Sequence, residues 1–144
     1  MKIKSSFAQM QAISKRHGYR TDNISPEIEI SDIPNGTKAI ALIVDDPDAP
    51  SGVFVHWLLI APCSGSSLKI PENAKIGIEG RNDFGKSEYD GPSPPSGIHR
   101  YFFKAFALDT ELKIKKGFSR KELEQAMQNH VLAKAELVGT FSAQ

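Results

Sequence analysis

The stretch "IVDDPDAPSGVFVHWLLIAP", residues 43–62, joins two apolar runs through a turn that holds three carboxylates and two prolines. The first run, "KAIALIV" at 38–44, follows a Pro-Asn-Gly turn signal and suits a buried strand. The second, "GVFVHWLLIAP" at 52–62, carries large residues on both faces under strict alternation. Phe54, His56, Leu58 and Ile60 then share one face; Val53, Val55, Trp57 and Leu59 share the other. A strand apolar on both sides needs cover on both sides, so it belongs at the centre of a layered β structure. Asp45, Asp46 and Asp48 stand beside that core and His56 stands inside it, which asks for a reason.

Outward from this pair, "PEIEI" at 26–30 alternates apolar and acidic residues as a half-exposed strand does. "GIHRYFFKAFALD" at 97–109 alternates too. His99, Tyr101, Phe103, Ala105 and Ala107 fall on one side, and Ile98, Arg100, Phe102, Lys104 and Phe106 on the other. Residues 62–97 are rich in Gly, Pro, Ser and Asn and read as one long irregular region, a place where function concentrates. The spacing predicts a helix over 119–134. Ser119 and Glu122 make a capping box, and Leu123, Ala126, Met127 and either His130 or Val131 form an apolar stripe. "AELVGTFSA" at 135–143 reads as a last short strand. The expected fold is mainly β, two packed antiparallel sheets with one or two short helices, in a single domain over 1–144.

A chain of 144 residues with 40% apolar and 24% charged content can bury one real core. Its formal charge of +1 lacks the basic excess of a nucleic-acid binder. No run reaches the ~18 apolar residues of a membrane span. The opening "MKIKSSFAQMQAISKRHGYR" has no apolar block of secretory length, so a cytoplasmic location is expected. Cys63 is the only cysteine; it excludes an internal disulfide and a Cys-based zinc cluster, and reads as a buried small hydrophobe. "KIKKGFSRK" at 113–121 reads as a solvated basic loop entering the helix, and His17 and His130 as incidental.

The chemistry gathers around the two histidine strands. His99 and Tyr101 leave one face about 6.6 Å apart at the backbone, from a rise of ~3.3 Å per residue. That spacing suits two groups gripping one phosphate or carboxylate. With His56 on a neighbouring strand, the Asp46–Asp48 turn completes a pocket of imidazoles, phenol and carboxylates. Aspartates beside histidines favour imidazolium and leave N–H donors for an anion, while spare carboxylates meet an ammonium. In "YDGPSPPSGIHRY" at 89–101, Pro92, Pro94 and Pro95 stiffen the wall that delivers His99, and Gly91 and Gly97 permit tight turns. Asp45 reads instead as a turn former.

"DDPDAP", then "VHW", then "GPSPPSGIHRY" resembles the phosphatidylethanolamine-binding protein family, also known as Raf kinase inhibitor-like proteins, in its compact prokaryotic branch. "NISPEIEISDIPNGTKAIALIVDDPDAP" and "AELVGTF" extend the resemblance over nearly the whole chain. It implies a Greek-key β-sandwich with a small anion pocket at one end and no cofactor. It also implies ligand-binding roles for Asp46 and Asp48 of the D-P-D motif, for His56, and for His99 and Tyr101 of the H-R-Y pair. Pro94 and Pro95 match the wall, with Tyr89, Gly91, Ala49 and Pro50 as further contributors. Arg100, on the opposite face, reads as a structural ion-pair partner. Ser93 stands where the eukaryotic pattern has glycine, and the chain stops before the C-terminal helix of eukaryotic members. The mouth is therefore expected to be more open, with a homodimer covering what that helix would.

The leading functional reading is a non-enzymatic binder of a phosphate- or carboxylate-bearing ligand such as a phosphoethanolamine headgroup. A serine protease inhibitor is the alternative. A hydrolase is disfavoured, because no G-x-S-x-G elbow, activated nucleophile or H-E-x-x-H motif is present. Two His and two Asp are also a conceivable metal set, set aside because proline and tyrosine walls suit an organic anion.

Overall fold

Nine strands, one α-helix and one 3-10 turn make up the computed structural model, which describes residues 1–144. The strands are β1 (Lys2–Ser5), β2 (Gln11–Ala12), β3 (Ile28–Ser31), β4 (Ala39–Asp46), β5 (Phe54–Pro62), β6 (Leu68–Ile70), β7 (Ile78–Glu79), β8 (Ile98–Leu108) and β9 (Val131–Ser142). The helix α1 spans Arg120–Met127 and the 3-10 turn Lys15–His17. Six strands form one sheet in the order β2-β9-β8-β4-β5-β7, and β1-β3-β6 form the other. All pairings are antiparallel except the short β2–β9 edge pair. After β4, β5 and β7, the chain returns to lay β8 beside β4, the Greek-key return.

Strand β4 is buried along its whole length because each face has its own layer. Ile40, Leu42 and Val44 meet Ile28, Ile30 and Ile70 of the smaller sheet. Ala39, Ala41 and Ile43 pack instead with Leu123 and Met127 of α1 and with Phe118. The alternation expected for β8 holds: Tyr101, Phe103, Ala105 and Ala107 belong to the inter-sheet core.

Strict alternation fails in β5. Val44 pairs with Trp57 but Asp45 pairs with Val55, leaving His56 as an extra residue. This bulge reverses the faces beyond it. Val55 joins Leu58 and Ile60 under the helix, while Trp57 and Leu59 face the smaller sheet. His56 is thereby turned toward Tyr101 of β8. The expected face sets of β5 are corrected accordingly.

Three boundaries also move. The capping box forms as expected, with the Glu122 N–H donating to Ser119 Oγ at 3.1 Å and the Ser119 N–H to Glu122 Oε1 at 3.2 Å. The helix, however, stops at Met127; Asn129 adopts a φ of 66° and the chain enters β9 at Val131. The last turn of the expected stripe belongs to a strand, because pairing with β8 outweighs helical spacing there. The region 62–97 contains β6 and β7, too short and isolated for an alternation signal. No helix is long and apolar enough to cross a membrane.

Candidate functional site

The three carboxylates of the 45–48 turn go three ways. Asp45 lies on the helix side, buried, with Lys104 Nζ at 3.0 Å and Arg120 Nη1 at 2.8 Å. It is an ion-pair centre rather than the turn former expected. Asp46, one residue on, faces the opposite layer: its Oδ2 lies 2.6 Å from His99 Nδ1 and its Oδ1 accepts the Asp48 N–H at 2.7 Å. The Asx-turn role therefore falls to Asp46. Asp48 accepts from Arg100 three times, from the backbone N–H and Nε at 2.9 Å each and from Nη2 at 2.8 Å.

Hydrogen bonding by the Arg100 guanidinium holds the Asp48 carboxyl down to about 2, from an ordinary value of 3.8. Because the folded state lowers this value, the pair contributes stability above the ordinary value and loses it as pH falls through about 2. The pair is partly exposed, so the contribution is small and screened by salt. An Arg100→Met variant is expected to lose the part of the acid-unfolding profile lying in that window. Superimposable profiles for the two proteins would show that the pair adds nothing.

Between the turn, β5, β8 and the proline loop lies a cavity of ≈ 260 Å³. Asp46, His56, His99 and Tyr101 line it, with Ala49, Pro50 and Pro95. So do Ser51, Phe54, Phe84 and Ser93. The remaining expected residues stand behind or beside the wall. Asp48 anchors Arg100, and Pro94 lines a small adjoining cleft with Arg20 and Phe141. Tyr89 is buried, donating its hydroxyl to the His17 carbonyl at 2.7 Å. Gly91 lies against that same carbonyl and donates its N–H to Asn23 Oδ1 at 2.7 Å.

His56 and His99 differ in electrostatics. His56 is buried among Phe54, Phe84 and Tyr101, with ring centroids 5.1, 5.7 and 5.2 Å away. Its Nδ1–H donates to the Asp90 carbonyl at 2.8 Å. Burial holds it below the ordinary imidazole value, against the pull of that carbonyl and of the Asp46 and Asp90 carboxylates. Burial thus works against the imidazolium form expected at this ring. His99 has the Asp46 carboxyl as its direct hydrogen-bond partner. The Tyr101 phenol is pushed up by burial and then by Asp46, so it keeps its proton. Its hydroxyl is buried beside the Asp46 carboxylate and the Ser93 backbone but forms no well-aligned hydrogen bond to either.

Asp90, wholly buried, was not singled out by sequence and organises the rear of the site. Its carboxylate accepts from Asn82 Nδ2 at 2.8 Å and Asn23 Nδ2 at 2.9 Å, with Lys86 Nζ 3.7 Å away. Asn82 Oδ1 accepts the Phe84 and Lys86 N–H groups, closing the turn that presents Phe84. Phe84 then stacks on Tyr19 at 4.4 Å with the rings within 1° of parallel. One signal was available: Phe84, an apolar ring inside the polar stretch "RNDFGKSEYD", must find cover. The incidental reading of the other histidines divides. His17 is buried with Nδ1 2.9 Å from the Ile24 carbonyl, whereas His130 forms a half-exposed pair with Asp109 at 2.7 Å. Nowhere do three His, Cys, Asp or Glu side chains converge as a metal site.

Comparison with known proteins places this geometry. The sequence profile of the family described as "Phosphatidylethanolamine-binding protein" matches residues 3–142. A UPF0098 protein of Pyrococcus horikoshii is 41% identical over 150 residues, covering 98% of this chain and 76% of its own. One from Aquifex aeolicus is 43% identical over 145 residues, covering 94% and 84%. The crystal structure of a phosphatidylethanolamine-binding protein homologue from Chlamydia trachomatis superposes with a TM-score of 0.92 at 35% identity, covering 99% of this chain and 97% of its own. E. coli YbcL gives 0.88 at 26%, covering 99% and 98%. The chain belongs to the phosphatidylethanolamine-binding protein family, in its compact prokaryotic branch.

Proposed function

We propose that the cavity binds, without converting it, a small ligand bearing a phosphate or carboxylate group, with the phosphoethanolamine headgroup as first candidate. The family is characteristically non-enzymatic. The observation that carries the reading is the Tyr101 hydroxyl, in the cavity wall near the Asp46 carboxylate and the Ser93 backbone without a well-formed hydrogen bond to either. A buried hydroxyl left unsatisfied costs about 1–3 kcal/mol, so it favours a bound acceptor. His99 stands two residues away on the same face, its Nδ1 fixed by Asp46, which leaves Nε2 for the ligand. Apolar surfaces of Phe54, Phe84, Pro50 and Pro95 exclude water around that polar floor.

Tyr101→Phe separates binding from folding. Phosphoethanolamine affinity is expected to fall about tenfold by calorimetry, while urea unfolding shows stability unchanged or raised by ~1 kcal/mol. Unchanged affinity together with lost stability would make the hydroxyl structural and remove the main support for this site.

A further inference from the structure

We propose that His56 is a specificity-determining acceptor, selecting an oxyanion that carries its own proton, a monoprotonated phosphate group, over fully ionised oxyanions of the same shape. This rests on the proposed function and goes beyond it by fixing the protonation state of the ligand. The Asp90 carbonyl, 2.8 Å from His56 Nδ1, can only accept, so Nδ1 carries the hydrogen. In the neutral ring Nε2 then holds only a lone pair. The backbone groups acting on the ring at close range, the Asp90 and Gly91 carbonyls, are acceptors only, so no protein donor answers that nitrogen, and the ring lines the cavity.

The groups around His56 leave this lone pair unanswered. Phe54 and Phe84 offer ring surfaces, and Tyr101 meets it edge to face. Asp46 and Asp90 are carboxylates acting on it at longer range, and Asp90 is already held by Asn23 and Asn82. His99, on β8, is turned to Asp46. A sulfate-like anion of the same charge would set lone pair against lone pair at His56. A monoprotonated phosphate offers its P–O–H to His56 Nε2 and its remaining oxygens to Tyr101 and His99. The bulge at His56 makes this possible by turning the ring into the cavity.

Methyl phosphate and methyl sulfate test this, since neither carries an amine and only the phosphate titrates, near pH 6. At about pH 5.5 methyl phosphate is expected to bind the wild-type protein roughly 10- to 100-fold more tightly, by NMR titration or calorimetry. The preference should shrink to within about threefold at about pH 8, where the phosphate has lost its proton. His56→Phe keeps a buried ring and removes the acceptor, so it should abolish the preference at the lower pH; the wild-type pH series stands alone if that variant misfolds. Equal affinities at low pH, or a preference that persists in a folded Phe variant, overturns the inference and leaves the anion site standing. Binding of phosphoethanolamine but of neither methyl ester overturns it as well, giving the donor role to the amine. Failure of all three ligands at millimolar concentration overturns the proposed function itself.

Discussion

Gly91→Ala is expected to destabilise the fold by about 3 kcal/mol or more, the range of severe single substitutions. A Cβ at this position would stand 1.9 Å from the His17 carbonyl oxygen and 3.0 Å from its carbon. The neighbour is backbone, so no side chain can swing aside. The φ of Gly91 is not positive, so the cost is contact rather than strain; Gly97, at φ +67°, is the glycine of the proline loop that needs its conformation. Separating the two segments loosens the Tyr89 hydroxyl on His17, the Gly91 N–H on Asn23 and the Tyr19 N–H on the Pro92 carbonyl together. Urea unfolding followed by Trp57, the single and buried tryptophan, reads the loss directly. A change below ~1 kcal/mol, the ordinary effect of a substitution, would show that the crossing yields easily.

His99→Ala is expected to weaken phosphoethanolamine binding about 100-fold at pH 6, since hydrogen bonds to charged groups are worth about 1.5–3 kcal/mol. Two losses coincide. The ligand loses the imidazole, and Asp46, 3% exposed, keeps a carboxylate at the cavity wall with its charge partner gone. That uncompensated charge repels the anion and lowers stability as well. Calorimetry on the folded variant measures the first effect, and urea unfolding the second. A loss under about threefold would take His99 out of the binding site, because even a neutral hydrogen bond is worth more than that at its usual ~1 kcal/mol.

Much of the site was legible because its signals are local. The D-P-D turn, "VHW" and "GIHRY" are contiguous, and a period of two puts His99 and Tyr101 on one face whatever the rest of the chain does. Arg100 as an outward ion-pair partner follows from the same period, and Asp48 receives it. Less legible were Phe84, Asn82 and Asp90, scattered in a polar loop with no periodicity. Asp90 meets Asn23 across 67 residues and His56 across 34, separations over which composition carries no register. The overlong helix has the same origin: Val131 fits a helical stripe locally and is taken by pairing with β8.

By itself, then, the sequence determined the layered β architecture, the central position of β5, the burial of β4, the two faces of β8, and the residue types gathered around one anion-sized pocket. Only the tertiary structure decided where three adjacent carboxylates go and which partner holds each histidine. Asp45, Asp46 and Asp48 find separate cations or imidazole on separate faces. One extra residue in β5 turns His56 from the helix layer into the cavity. The reason is physical: alternation is a property of the strand alone, whereas a bulge is set by pairing with its neighbour and a protonation state by burial and by partners many residues away.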